Sequence, residues 1–179
     1  MRVVLTYEDY AALPNDGKRY EIHDGELSVT PAPGLRHQDV TGKLYAALLA
    51  YVTAQGTGRV FIAPVDVILA RTSIVQPDIV YLAEERTHLM SERGIEGAPT
   101  LAVETLSEST RRTDRTTKLQ LYARYDVSFY WIVDPATPSI EIYRLESGAY
   151  AGPAQRSGAH LADLPPFAGL TLDATTVWP

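Results

Sequence analysis

The chain has 179 residues, a formal net charge of −6, 45% hydrophobic and 21% charged residues, and no cysteine. This length suits one domain with a real core and is short for two, so a single domain over 1–179 is expected. Disulfides and thiolate metal sites are excluded, no apolar run approaches the ~18 residues of a membrane span, and the acidic balance offers no global attraction for nucleic acid.

"MRVVLTYEDYAAL" has only a short apolar run before acidic residues, so no secretory signal is expected and the protein is placed in the cytoplasm. Thr6 caps a short helix, with Asp9 at the third position, and Pro14 ends it. "RYEIHDGELSV" reads as a hairpin turning on Asp24-Gly25. Residues 35–54 read as a helix, because Val40, Leu44, Leu48 and Val52 recur every fourth residue and "QGTG" stops the run. "VFIAPVDVILA" has strand character, kinked or broken at Pro64. "SIVQPDIVYLA" is a further strand in which Pro77, lacking an N–H, marks an edge, a start or a bulge. Residues 84–97 read as a loop with a helical turn.

"TLAVETLSEST" follows, an apolar strand with Glu104 at its centre. A helix is expected over about 110–125. "VSFYWIVDP" is almost continuously apolar and reads as a strand buried on both faces, whereas "SIEIYRLE" alternates as a half-exposed strand does. Beyond Gly148 the tail is rich in Pro and Gly, with a few short extended pieces expected. The order predicts a mixed α/β (α+β) fold around one sheet.

A buried unpaired carboxylate is costly, so Glu104 must be protonated, ion-paired or bound to a cation. Asp78, in "VQPDIVYL", is the second acid in an apolar strand. Carboxylates on adjacent strands can share a hard cation such as Mg²⁺ or Mn²⁺, with the main-chain carbonyl of Thr105 as a third ligand. The alternatives are that Asp78 caps a turn after Pro77 and that Glu104 pairs with an arginine. Asp114, Lys118 and Tyr122 fall at i, i+4 and i+8 on one helix face, beside Leu121 and Tyr125, so that face points inward. Lys118 there could orient a water or neutralise charge on phosphorus, the alternative being an Asp114–Lys118 ion pair. Arg111, Arg112 and Arg115 form a local basic patch that could meet phosphates, or simply a solvated face. Glu21 is placed to face the same cavity or solvent, and His37 to carry a proton, cap a helix or fill the core. The scattered histidines argue against a histidine zinc site, and no nucleophile elbow, P-loop or dinucleotide fingerprint is present.

"YEIHDGEL", the Pro-x-Pro before His37, "QPDIVYL", "VETLSEST", D-x-x-x-K-x-x-x-Y and "YWIVDP" occur in one order over about residues 7–146. In this the chain resembles the Uma-type family of putative restriction endonucleases, within the PD-(D/E)XK nuclease superfamily. The resemblance implies a restriction-endonuclease-like core, a central mixed sheet flanked by helices, with a divalent-metal site. It matches Asp78 to the aspartate of the PD motif and Glu104 to the first acid of the second motif. The superfamily's usual lysine position, two residues on, holds Leu106, which points to Lys118 as the migrated lysine. Glu21 resembles the extra N-terminal acid of such nucleases. The implied activity is Mg²⁺-dependent hydrolysis of DNA by a homodimer. The alternative is an inactive DNA-binding or oligomeric scaffold on the same fold.

Overall fold

A computed structural model describes residues 3–179. Helix α1 (Tyr7–Ala11) starts at Thr6, whose main-chain N–H and hydroxyl both donate to the Asp9 carboxylate at 2.9 Å. Strands β1 (Arg19–His23) and β2 (Glu26–Thr30) form the hairpin, and Asp24 and Gly25 both have positive φ, as a tight two-residue turn requires. Helix α2 (Leu35–Gln55) buries His37, Val40, Thr41, Leu44, Leu48 and Val52 along one side. Gly56, left-handed at φ 63°, closes it by donating its N–H to the Val52 carbonyl.

The expected single sheet is instead two six-stranded mixed sheets. Both departures lie at prolines. The stretch around Pro64 ends β3 (Gly58–Ile62) in one sheet and starts β4 (Val67–Ala70) in the other. Around Pro77 the chain crosses back, from β5 (Ser73–Val75) to β6 (Ile79–Ala83). A residue without an N–H cannot hold its place in a ladder, so each proline is where the chain changes sheet. The first sheet runs β2-β1-β5-β4-β8-β7, where β7 (Met90–Ser91) and β8 (Gly94–Ile95) follow a 3₁₀ turn, Glu84–Leu89. The second runs β12-β11-β10-β9-β6-β3 and contains β9 (Leu101–Thr105), β10 (Phe129–Asp134) and β11 (Ser139–Glu146).

The second sheet separates two apolar layers. On one face Leu101, Val103, Trp131 and Val133 pack with Val40, Leu44 and Leu48 of α2. On the other, Ala102, Leu106, Tyr130 and Ile132 pack with Leu121 and Tyr122. The expected helix over 110–125 is continuous but not uniform: α3 (Arg111–Thr113), a π-helical turn at Asp114–Lys118, then α4 (Leu119–Arg124). A π turn inside a helix often marks a functional site.

The tail is more ordered than its composition suggests. Strand β12 (Ala149–Ser157) extends the second sheet along β11. Strands β13 (His160–Leu161) and β14 (Leu172–Asp173) pair, and α5 (Ala174–Val177) follows. The indole N–H of Trp131 donates to the Pro165 carbonyl at 2.9 Å, and that of Trp178 to the Asp134 carbonyl at 2.7 Å, so tail and sheet seal one core. No helix among the described residues is long and apolar enough to cross a membrane.

Candidate active site

Strands β6 and β9 run antiparallel with Ile79 opposite Val103. Continuing that register by one residue sets Asp78 opposite Glu104, at the end of the sheet where β6 has just left the Pro77 crossover. Both carboxylates are about 97% buried and both line one cavity of about 280 Å³, together with Arg19, His37, Thr105 and Lys118.

Asp78 is held from three elements. The Thr105 main-chain N–H donates to Oδ2 at 2.8 Å, and His37 of α2 meets the same oxygen at 3.1 Å. Both terminal nitrogens of Arg19 donate to Oδ1 at 3.0 Å. Burial alone would raise the Asp78 pKa, but the His37 hydrogen bond, the Arg19 charge and the Thr105 amide bring it below the ordinary carboxylate value. Thr41, one turn beyond His37, donates its hydroxyl to that of Thr105 at 2.8 Å and so ties α2 to the end of β9.

Glu104 lies on the other cation. Lys118 donates to its Oε1 at 2.8 Å and the Tyr122 hydroxyl to the same atom at 2.9 Å, which leaves Oε2 for a further partner. Lys118 also donates to Glu21 Oε1 at 3.0 Å. Its ammonium therefore bridges Glu21 of the first sheet and Glu104 of the second. Glu21 is completed by the Gln76 main-chain N–H at 2.7 Å and by His23 at 3.2 Å. Burial opposes the charge on Lys118, but Glu104, Glu21 and Asp114 hold it firmly protonated. One ammonium among three buried carboxylates cannot neutralise them all. Glu104 is pushed up to about 8, by burial first and then by its acidic neighbours. Glu21 goes the other way: burial would raise it, yet Lys118 and His23 bring it down to about 2.

Asp114 is 1% exposed, and neither of its oxygens has a hydrogen-bond partner. Burial raises its pKa, with Lys118 opposing. It lines another cavity, of about 180 Å³, shared with Glu21 and Lys118. The spacing of Asp114, Lys118 and Tyr122 does put all three inside the protein, but Lys118 pairs with Glu21 and Glu104, not with Asp114.

The structure thus gathers Asp78, Glu104, Thr105, Lys118 and His37 around one cavity, with Glu21 joined to it through Lys118. Leu106 is 1% exposed and packed among Leu121 and Tyr122. Arg111 and Arg115 lie elsewhere, paired with Asp134 at 3.7 Å and with Glu141. Arg112 is exposed, and none of these three arginines lines the cavities described here. Arg19 was missed in the sequence: it opens a hairpin strand, and nothing local signals a partner at residue 78.

The family model described as "Putative restriction endonuclease", Uma2, matches residues 7–175. The chain belongs to the Uma2 family. A solved structure described as "a putative nuclease belonging to DUF820", from Anabaena variabilis ATCC 29413, is similar to this Uma2 chain, with a TM-score of 0.79. The match covers 97% of each chain at 20% sequence identity, so it shows a shared fold. Comparison with curated proteins gives no match. The family that the motifs resemble is therefore the one the chain belongs to, and its mixed sheets flanked by helices are the fold it shares with that structure.

Proposed function

We propose that this Uma2-family protein is a divalent-metal-dependent endonuclease that hydrolyses phosphodiester bonds of DNA. The observation that carries the reading is the convergence of Asp78, Glu104 and Lys118 on one cavity from three separate elements. Nothing in the packing of an inert core calls for four buried carboxylates, Glu21, Asp78, Glu104 and Asp114, from two sheets and a helix.

The donor set fits a hard cation. Among the described residues no three acidic or histidine side chains form a ready cage. Mg²⁺ or Mn²⁺ would take Asp78, Glu104, the Thr105 carbonyl and waters, which is the mixture such ions accept. Bound there, the ion supplies Lewis acidity and a lowered water pKa. The chain's own residues do the rest. Lys118, kept charged, orients the attacking water or stabilises the charge that develops on the phosphoryl oxygens. Glu21 holds Lys118 in place. His37, already in contact with Asp78, stands where a proton leaves or arrives. The reading includes a homodimer, since closed two-fold dimers are the commonest oligomers.

The second reading, an inactive scaffold, has its own observation: Asp78 is already paired with Arg19 and Glu104 with Lys118 without any metal. A cleavage assay with Mg²⁺ or Mn²⁺ on single-stranded, linear duplex and supercoiled DNA, run beside Glu104→Ala, decides between them. Metal-dependent cleavage lost in Glu104→Ala supports the endonuclease. No cleavage of any form selects the scaffold.

A further inference from the structure

The cavity at Asp78 is the middle of three. A larger one, about 370 Å³, shares Arg19, His37 and Asp78 with it; the third, about 180 Å³, shares Lys118 and Thr110. Thr30 and Pro31 line all three. The three therefore adjoin one another along the segment that joins β2 to α2 and together form a cleft, with the reactive groups at the middle cavity. The side chains of Asp78, Glu104 and Lys118 are only 3–4% exposed.

We propose that this cleft seats an unpaired nucleic-acid strand, and that Arg19 leaves Asp78 to hold the strand's phosphate. The proposal rests on the endonuclease reading and names the form of its substrate. In a duplex, the phosphates of each strand are backed by stiff paired bases, so they reach groups this recessed less readily than the phosphates of a flexible lone strand do. A lone strand bends and can enter the cavities, one nucleotide to each side of the reactive phosphate.

Arg19 is built for such an exchange. Its planar fork places two N–H donors on one oxygen of Asp78, whereas a phosphodiester offers two oxygens at matching spacing. It lies on the wall between the two larger cavities, where the phosphate between two seated nucleotides would fall. Moving it away also frees Asp78 Oδ1 for a cation. Outside the cleft, Arg111 and Arg115 are already paired with Asp134 and Glu141, so among the described residues that arginine patch is partly occupied by carboxylates.

The test uses the full chain with Mn²⁺ and three end-labelled substrates of the same sequence: a single-stranded oligonucleotide, its blunt duplex, and a duplex with a single-stranded flap. The single strand and the flap should be cut at least about tenfold faster than the blunt duplex. A blunt duplex cut as fast as the single strand overturns the proposal. Binding of the same substrates is measured by fluorescence anisotropy with Ca²⁺ in place of Mn²⁺. If nothing is cleaved, the endonuclease reading fails, yet this second arm still judges the strand: tighter single-strand binding supports it, and equal, duplex-preferring or absent binding overturns it. Arg19→Lys keeps a charge beside Asp78 but loses the fork, and should weaken single-strand binding by about tenfold. Unchanged binding in Arg19→Lys removes Arg19 from its assigned role.

Discussion

Lys118 carries the electrostatics of the site, because its one charge is set between Glu21 and Glu104. Lys118→Ala takes the shared ammonium from two buried carboxylates, leaving Glu104 only the Tyr122 hydroxyl and Glu21 only His23 and the Gln76 amide, a loss of about 3–5 kcal/mol at neutral pH. The loss should shrink as the pH falls and the orphaned acids protonate, which denaturant melts at pH 5 and pH 8 will show. Glu104 gives the complementary prediction. Its folded pKa of about 8 stands above the ordinary 4.5, so the folded state binds the proton more tightly than the unfolded one. Its contribution is complete below about pH 4.5 and declines as the pH rises to about 8. Glu21, held near 2, acts oppositely and adds stability as the pH rises from about 2 to 4.5. In chelator, Glu104→Gln should be at least as stable as the parent at pH 8 and should flatten the fall between pH 4.5 and 8. Its amide oxygen can still accept from Lys118 and Tyr122. With an ion at about 100 times its dissociation constant the parent should gain about 2.7 kcal/mol, and Glu104→Gln far less. Thermal melts with and without Mg²⁺ or Mn²⁺ check this, and an equal gain in the two proteins makes Glu104 structural.

At the scale of elements, the site depends on β6 and β9 staying in register, and β6 is held on its outer side by β3. Gly58 begins β3 at φ 141°, opposite Ala83. A Cβ there would lie 2.0 Å from the Leu82 carbonyl oxygen and 2.9 Å from the Ala83 Cα, both backbone atoms that cannot swing aside. Gly58→Ala should therefore cost well over ~1 kcal/mol, more than the usual price of a strained backbone position alone. A lowered denaturation midpoint with an unchanged slope is the expected result. The helix that carries Lys118 shows a limit of reading by period. Spacing at i, i+4 and i+8 put Asp114, Lys118 and Tyr122 on one inward face, and they are inward. An α-helical ion pair between Asp114 and Lys118 was one reading of that spacing; within the π turn Lys118 reaches two strands instead, and Asp114 is left without a partner.

For the whole molecule, the proposed homodimer is checked by measuring mass in solution across micromolar concentrations. A monomer throughout removes it. The exposed apolar side chains Leu27 and Val29 lie on β2, an edge strand of the first sheet whose end, at Thr30, enters the cleft. If that edge is where copies meet, Val29→Lys should shift the mass toward monomer.

The sequence by itself determined most local elements and marked Asp78 and Glu104 as acids in apolar strands, while it left Glu21 open between cavity and solvent. Periodicity placed α2, the Asp24-Gly25 turn placed the hairpin, and apolar flanks made Glu104 conspicuous, because each of these signals lies within a few residues of its cause. The family's motif order was legible for the same reason. Only the tertiary structure decided how the charges pair. Arg19 and Asp78 are 59 positions apart, and Lys118 and Glu21 are 97 apart. Which cation meets which acid depends on how two sheets are set against each other, and Pro64 and Pro77 announce a break in a strand without saying that the chain changes sheet there. The cleft likewise comes from β1, β2, α2, β9 and the π turn meeting at one place, and no stretch of sequence contains it.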